Sequence, residues 1–223
     1  MNSTLLLFED RVSEIEFYYS IMVDIENGSG KVQTIDNSRF QRILKSNLLL
    51  MLYNLVEACI VSGLMEIYES VKNGQIGYNE LIDEVRMIWS NYEIGQLHLS
   101  GAGRKTYEEK VQTIINQVLL NQPIILHREN RRFGGNLDAR AIKELCDKHR
   151  IRYVASDDDG CLRTVKDKRN NLAHGDESFG DCARNMTLTD LEHIKDEVQK
   201  FIKGILDGMK VYYDNKCYLL RSV

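Results

Sequence analysis

The chain has 223 residues, 43% of them hydrophobic and 28% charged, a balance that suits soluble globular structure with enough chain for a sizeable core. A formal net charge of −4 excludes a globally basic nucleic-acid binder, so any anion site must be a local patch. Pro123 is the only proline, which favours long helices throughout.

Leu5, Phe8, Val12, Ile15, Tyr19, Met22 and Val23 recur at helical spacing and predict a first helix over residues 4–26, broken by the run NGSGK. A second, long helix is expected from a Ser38 cap to about Lys72. Its residues 48–65 nearly reach membrane-spanning length, but Asn54 and Glu57 sit at their centre. A mid-bilayer carboxylate costs on the order of 3 kcal/mol, so the expectation is a buried helix and no membrane contact. After NGQIG comes a third helix over about residues 79–92, then the loop SGAGRKT. Thr106 and Glu109 form a capping-box pattern that would open a fourth helix. The sequence carries no internal repeat, low-complexity tract or clear strand pair.

Residues 124–152 differ in charge. Arg128, Arg131, Arg132, Arg140, Lys143, Lys148, Arg150 and Arg152 stand against Glu129, Asp138, Glu144 and Asp147, a local excess of four positive charges in an acidic chain. Within this segment GGNLDARAIKELCDKHRI predicts a short helix capped by Asn136 or Asp138. The acidic turn ASDDDG precedes a helix over residues 162–174, with Gly175 at the usual C-terminal glycine position. Thr189 and Glu192 suggest another capping box. A long last helix would follow, with Leu191, Ile194, Val198, Phe201, Ile202, Ile205, Leu206 and Met209 on one stripe.

The five cysteines, Cys59, Cys146, Cys161, Cys182 and Cys217, are odd in number and form no C-x-x-C pair. They argue against a disulfide framework or a zinc site and fit a reducing cytoplasm. The initial MNSTLLLFEDRV has too short an apolar run and no basic flank for a signal peptide. His98, His127, His149 and His193 show no metal-ligand spacing, so neither a metal nor another cofactor is expected.

The stretch KDKRNNLAHGDESF, residues 166–179, is the candidate for chemistry. Asn170 and His174 are four apart and share a helix face. Arg169 and His174 are five apart, about 140° around the helix and roughly 7.5 Å along it. The last helical turn favours positive charge, and imidazole exchanges protons near neutrality. A guanidinium is a planar fork that matches a phosphate. The plain alternative is a histidine acting as a helix cap beside a solvated basic face.

Arg169-Asn170-Asn171-Leu172-Ala173-His174 resembles the R-N-x-x-A-H form of the R-x4-6-H motif of the HEPN superfamily. The upstream FGGNLDARAIKELCDKHRI and the helix LLLMLYNLVEACI resemble its MAE-type stand-alone branch, and the likeness spans roughly residues 40–215. It implies an all-α HEPN-type helical bundle over residues 1–223, with additional N-terminal helices and a short basic helical insert. It further implies a metal-independent endoribonuclease of toxin or antiviral-defence type, with RNA as substrate and a homodimer as the active unit. Arg169 and His174 would be catalytic, and Asn170 would orient His174 or bind a phosphate oxygen. The alternative is a non-catalytic HEPN module for dimerisation or RNA binding. Some HEPN toxins carry a tyrosine two positions after the histidine that a partner antitoxin modifies. Asp176 stands there in this chain, so an antitoxin partner of another kind is left open.

Lys166, Lys168, Arg128, Arg131 and Arg132 are candidate RNA contacts, the alternative being ordinary solvated charge. Glu57, amid apolar neighbours with Tyr53 and Asn54 a turn before it, either holds Arg169 in place or belongs to a narrow polar stripe facing solvent.

Overall fold

The computed structural model describes residues 1–28, 37–99, 104–127, 136–154 and 159–220. Among them are seven α-helices: α1 (Asn2–Glu26), α2 (Asn37–Asn73), α3 (Asp83–Leu99), α4 (Arg104–Leu119), α5 (Ala139–His149), α6 (Asp159–His174) and α7 (Leu188–Asp214). A single 3-10 turn, Tyr78–Glu80, precedes α3. No strand forms among the described residues. Two isolated bridges, Gly77 to Pro123 and Leu81 to Leu219, are the extended pairings present there.

α2 is the axis of the bundle. Its apolar residues Leu48, Leu49, Leu52, Leu55, Val56 and Ile60 are all buried, packed among α1, α6 and α7. Length and hydropathy alone would let this helix cross a membrane. Its apolar surface is instead covered by protein, as in the core helix of a bundle. α1 runs antiparallel to α2: Thr4 reaches Ser62 and Glu66 at one end, while the Tyr18 hydroxyl donates to the Leu44 carbonyl at the other. α7 runs alongside α2 in the same direction, from Lys45 donating to the Met186 carbonyl up to Ser70 beside the Tyr218 hydroxyl. The predicted stripe on α7, Leu191 through Met209, is buried along its whole length.

Several expected helix starts shift. α2 begins at Asn37, so Ser38 lies inside its first turn and accepts from Arg42. α3 begins at Asp83 rather than near Asn79, because Leu81 and Ile82 are drawn into extended pairing with the C-terminal segment. The Ile82 N–H donates to the Tyr218 carbonyl (3.0 Å), and the Leu220 N–H to that of Glu80 (2.8 Å). α3 also runs on to Leu99, past the expected end at Tyr92. α4 opens at Arg104, which puts Thr106 within its first turn. α6 begins at Asp159, three residues before the expected Leu162, and α7 is capped by Thr187 rather than Thr189. Thr187 accepts from the Asp190 N–H, and the Asp190 carboxylate accepts from the Thr187 N–H. All five cysteines are free, four of them buried. Burial pushes the Cys59 and Cys146 thiols up to about 12, which marks them as inert packing groups.

Candidate functional site

α6 is held firmly at both ends. Asp159 in its first turn pairs with Lys143 of α5 at 2.7 Å, and Cys161, Leu162 and Val165 anchor its inner face. At the other end Gly175 adopts φ +79, a left-handed conformation that a Cβ would strain. Its N–H donates to the Leu172 carbonyl, and the Asp176 N–H donates to that of Asn171 at 2.9 Å. This pair of bonds closes the helix in a Schellman turn and leaves His174 as its last residue, as the Gly175 position predicts.

The two ends of RNNLAH face different surroundings. Arg169 is half-buried, with its guanidinium carbon 4.7 Å from the centre of the Tyr53 ring on α2. Its Nη1 donates to the Asn170 side-chain carbonyl at 3.0 Å, and the Asn170 amide donates to that of Asn136 at 3.1 Å. Asn170, expected to orient His174 or take a phosphate oxygen, here accepts from Arg169 and donates to Asn136. His174 is exposed, and on ideal helix geometry it leaves α6 about 140° away from Arg169. One chain therefore fixes the arginine and presents the histidine, without joining them on one face.

The segment just before α5 closes over this arrangement, each of three consecutive residues holding a different neighbour. Asn136 meets Asn170, the Leu137 N–H donates to the Tyr53 hydroxyl (3.4 Å), and Asp138 pairs with Lys166 at 2.8 Å. Asp138 also caps α5 by accepting from the Ala141 N–H. Partial burial opposes ionisation of Asp138, but the bonds from Lys166 and Ala141 outweigh it and hold its carboxyl below the usual range. Asp138 in turn raises the Lys166 ammonium above its ordinary value. Lys168 pairs with Glu177 at 3.0 Å, tying α6 to the loop that follows it. Both lysines thus serve intrachain ion pairs that lock the insert and the loop onto α6.

Glu57 is half-buried one turn beyond Tyr53. Burial, chiefly, raises the Tyr53 hydroxyl above its ordinary value; the Leu137 hydrogen bond lowers it, Glu57 raises it, and Arg169 and Lys166 lower it. Glu57 and Arg169 accordingly act on the same phenol in opposite directions. Arg128, Arg131 and Arg132 lie outside the described residues. Among the described residues no group of three or more His, Cys, Asp or Glu side chains is placed to hold a metal.

A family model of MAE_28990-like HEPN domains matches residues 5–218. The chain belongs to the MAE_28990-like HEPN family. No curated protein matches it, and no solved structure does. In this HEPN domain the two residues that motif spacing alone leaves out are Tyr53 and Asn136. Tyr53 sits a helical turn before Glu57, so a polar thread through an apolar helix was visible. Nothing local in the sequence connects Asn136 with a residue 34 positions later.

Proposed function

We propose that this HEPN domain is a metal-independent endoribonuclease, an effector that cuts RNA and so arrests growth in a toxin or antiviral-defence setting. The reading rests chiefly on one observation: an arginine braced by Tyr53, Asn170 and Asn136 stands on the same helix that ends in an exposed histidine. The RNA supplies the nucleophile. Its 2′-oxygen bonds to the adjacent phosphorus as the bond to the 5′-oxygen breaks, leaving a 2′,3′-cyclic phosphate and a 5′-hydroxyl. A base takes the proton from the 2′-hydroxyl and an acid returns one to the departing 5′-oxygen. His174 is suited to both roles. Arg169 would neutralise the extra charge on the five-coordinate phosphorus, and Asn170 would keep Arg169 in place.

Because Arg169 and His174 diverge on one helix, the working site needs two copies of α6 about a two-fold axis, which would set the Arg169 of one protomer beside the His174 of its partner. Arg169, present twice, would meet the RNA backbone with local positive charge on an acidic protein, while Lys166 and Lys168 stay in their pairs with Asp138 and Glu177. Mixing two inactive variants tests this directly. Arg169→Ala and His174→Ala proteins, unfolded together and refolded, form heterodimers with one intact arginine and one intact histidine on different chains. Recovery of cleavage supports the composite site. Continued inactivity of a proven heterodimer overturns it. RNA bound but never cut by the unmodified protein would favour the non-catalytic module.

A further inference from the structure

Beside the candidate site lies a groove of about 380 Å³ that motif spacing does not reveal, walled by Arg39, Arg42 and Ile43 of α2 and by Ser178, Phe179, Gly180 and Asp181 of the α6–α7 connection. α6 runs antiparallel to α2. Arg169 lies over Tyr53, whereas Phe179, ten residues further along, is held by Ser46, whose hydroxyl donates to the Phe179 carbonyl at 2.7 Å. Arg42, Ser46, Leu49 and Tyr53 follow one another at helical spacing on one face of α2. Arg42 thus lies roughly 16 Å along that face from Tyr53, within about 20° of the same direction. The span is that of a few nucleotides of extended RNA.

Each wall has a chemistry that suits an unpaired nucleotide. Phe179 is 40% exposed even though its own backbone is pinned to the buried Ser46. The connection around it is hydrogen-bonded within itself, the Cys182 N–H donating to the Ser178 carbonyl and the Ser178 hydroxyl to the Asp181 carboxylate. A large apolar ring presented from a fixed loop costs little to order on binding. Arg42 is pre-set as well: its Nε donates to the Ser38 carbonyl and its Nη2 to the Ser38 hydroxyl, which steers the guanidinium along the groove wall. The first turns of α2 add the positive end of a 37-residue helix. Arg39 and Arg42 line the groove on the α2 side and Asp181 on the side of the connection.

Resting on the nuclease reading, we propose that this groove is a subsite for single-stranded RNA, in which Phe179 stacks on an unpaired base flanking the cut while Arg39 and Arg42 hold the backbone phosphate beside it. Stacking on an aromatic ring accepts any base but requires that the base be unpaired. The substrate class is therefore single-stranded RNA or a loop, selected by accessibility more than by sequence.

The test uses the full-length His174→Ala protein, so that RNA binds without being cut. Phe179→Trp is added to it as a reporter; the native Trp89 is only 2% exposed and stays silent. A short unpaired oligoribonucleotide quenches the new indole, while the same sequence as a duplex does not. Phe179→Ala weakens single-strand binding about tenfold, and Phe179→Tyr restores it. Replacing Arg39 and Arg42 by alanine lowers affinity and flattens its dependence on salt. Binding that is unchanged in Phe179→Ala, with no quenching, overturns the subsite while leaving the nuclease reading intact. Quenching by inorganic polyphosphate as strong as by RNA reduces the groove to a general anion site and overturns it too. If the unmodified protein neither binds nor cleaves RNA, the nuclease reading itself has failed.

Discussion

Arg169 and His174 differ in how much the fold constrains them, and this sets what their substitution does. Arg169 is packed over Tyr53 and bonded to Asn170, whereas His174 is exposed at a helix end. His174→Ala should therefore leave stability nearly unchanged and Arg169→Ala should lower it modestly, by about 1 kcal/mol for the lost cation–π contact. Both should reduce RNA cleavage at least about 100-fold, the usual scale for acid–base groups and charge stabilisers. Cleavage assays on variants shown to be folded by circular dichroism check this; a folded His174→Ala protein that still cuts removes the histidine from the chemistry.

A different histidine governs acid stability. Burial, above all, lowers His149 to about 4; the Leu145 carbonyl bond opposes that shift and Lys148 adds to it. Its Nδ1 faces the Leu145 carbonyl and its Nε2 the Tyr68 hydroxyl, a pairing that suits the neutral ring. Between about pH 6.5 and pH 4 the unfolded chain holds this proton and the folded chain does not, so stability is full above about 6.5 and falls on acidification, by about 3 kcal/mol in all. Glu66 follows later: burial raises it, but hydrogen bonds from the amino terminus, Ser3 and Thr4 prevail and bring it to about 2, so its contribution fades below about pH 4.5. Urea unfolding at pH 7 and pH 5 should show the first loss, and His149→Gln should flatten the curve in that window. An unchanged slope would mean that the ring is protonated in the fold.

At the scale of elements, close crossings decide which substitutions the helices accept. Gly208 on α7 lies under the Arg152 backbone: a Cβ there would stand 2.2 Å from the Arg152 carbonyl oxygen. Alanine gains about 1 kcal/mol of helix propensity, but backbone cannot retreat as a side chain can, and overpacking of this kind costs about 1–3 kcal/mol. Gly208→Ala should therefore destabilise the protein. Gly95 on α3 has nothing within 4 Å of such a Cβ, so Gly95→Ala should raise stability by up to about 1 kcal/mol. Thermal melts of the two variants should move in opposite directions. Asp138 combines the α5 cap with the Lys166 ion pair, so Asp138→Ala should cost about 1–2 kcal/mol and loosen Asn136 from Asn170; Asp138→Asn should retain most of the cap. If cleavage falls further in Asp138→Ala than stability explains, the insert positions Arg169 through Asn170 and Asn136.

For the whole molecule the open quantity is the number of chains at the site. A two-fold site predicts that RNA cleavage per chain drops on dilution together with the dimer population, as followed by light scattering on the same samples. A monomer cutting at full rate would exclude a shared site. The Arg169 guanidinium groups of two chains brought face to face repel, so apolar contacts elsewhere would have to hold such a dimer together. The exposed apolar residues Leu119 and Leu120, at the end of α4, are 75% and 68% exposed and mark one place to introduce charge and look for dissociation.

The helices themselves were legible in the amino-acid order because each buries a stripe whose period is local: the α7 stripe from Leu191 to Met209 and the apolar run of α2 need no knowledge of the fold. Gly175 and the RNNLAH stretch were legible for the same reason, since a left-handed helix end and a six-residue motif are contained in consecutive residues. Helix starts were less so. Thr187 and Thr189 carry equivalent capping patterns, and Leu81 and Ile82 leave α3 only because the C-terminal segment pairs with them. Which residues surround the motif was decided by tertiary structure alone. Tyr53 lies 116 positions before Arg169, Asn136 lies 34 before Asn170, and Ser46 lies 133 before Phe179, and no periodicity links residues so far apart. Those contacts exist because α6 packs antiparallel on α2 and the α5 insert folds over both. That placement is a property of the packed bundle, set by the burial of all its helices at once.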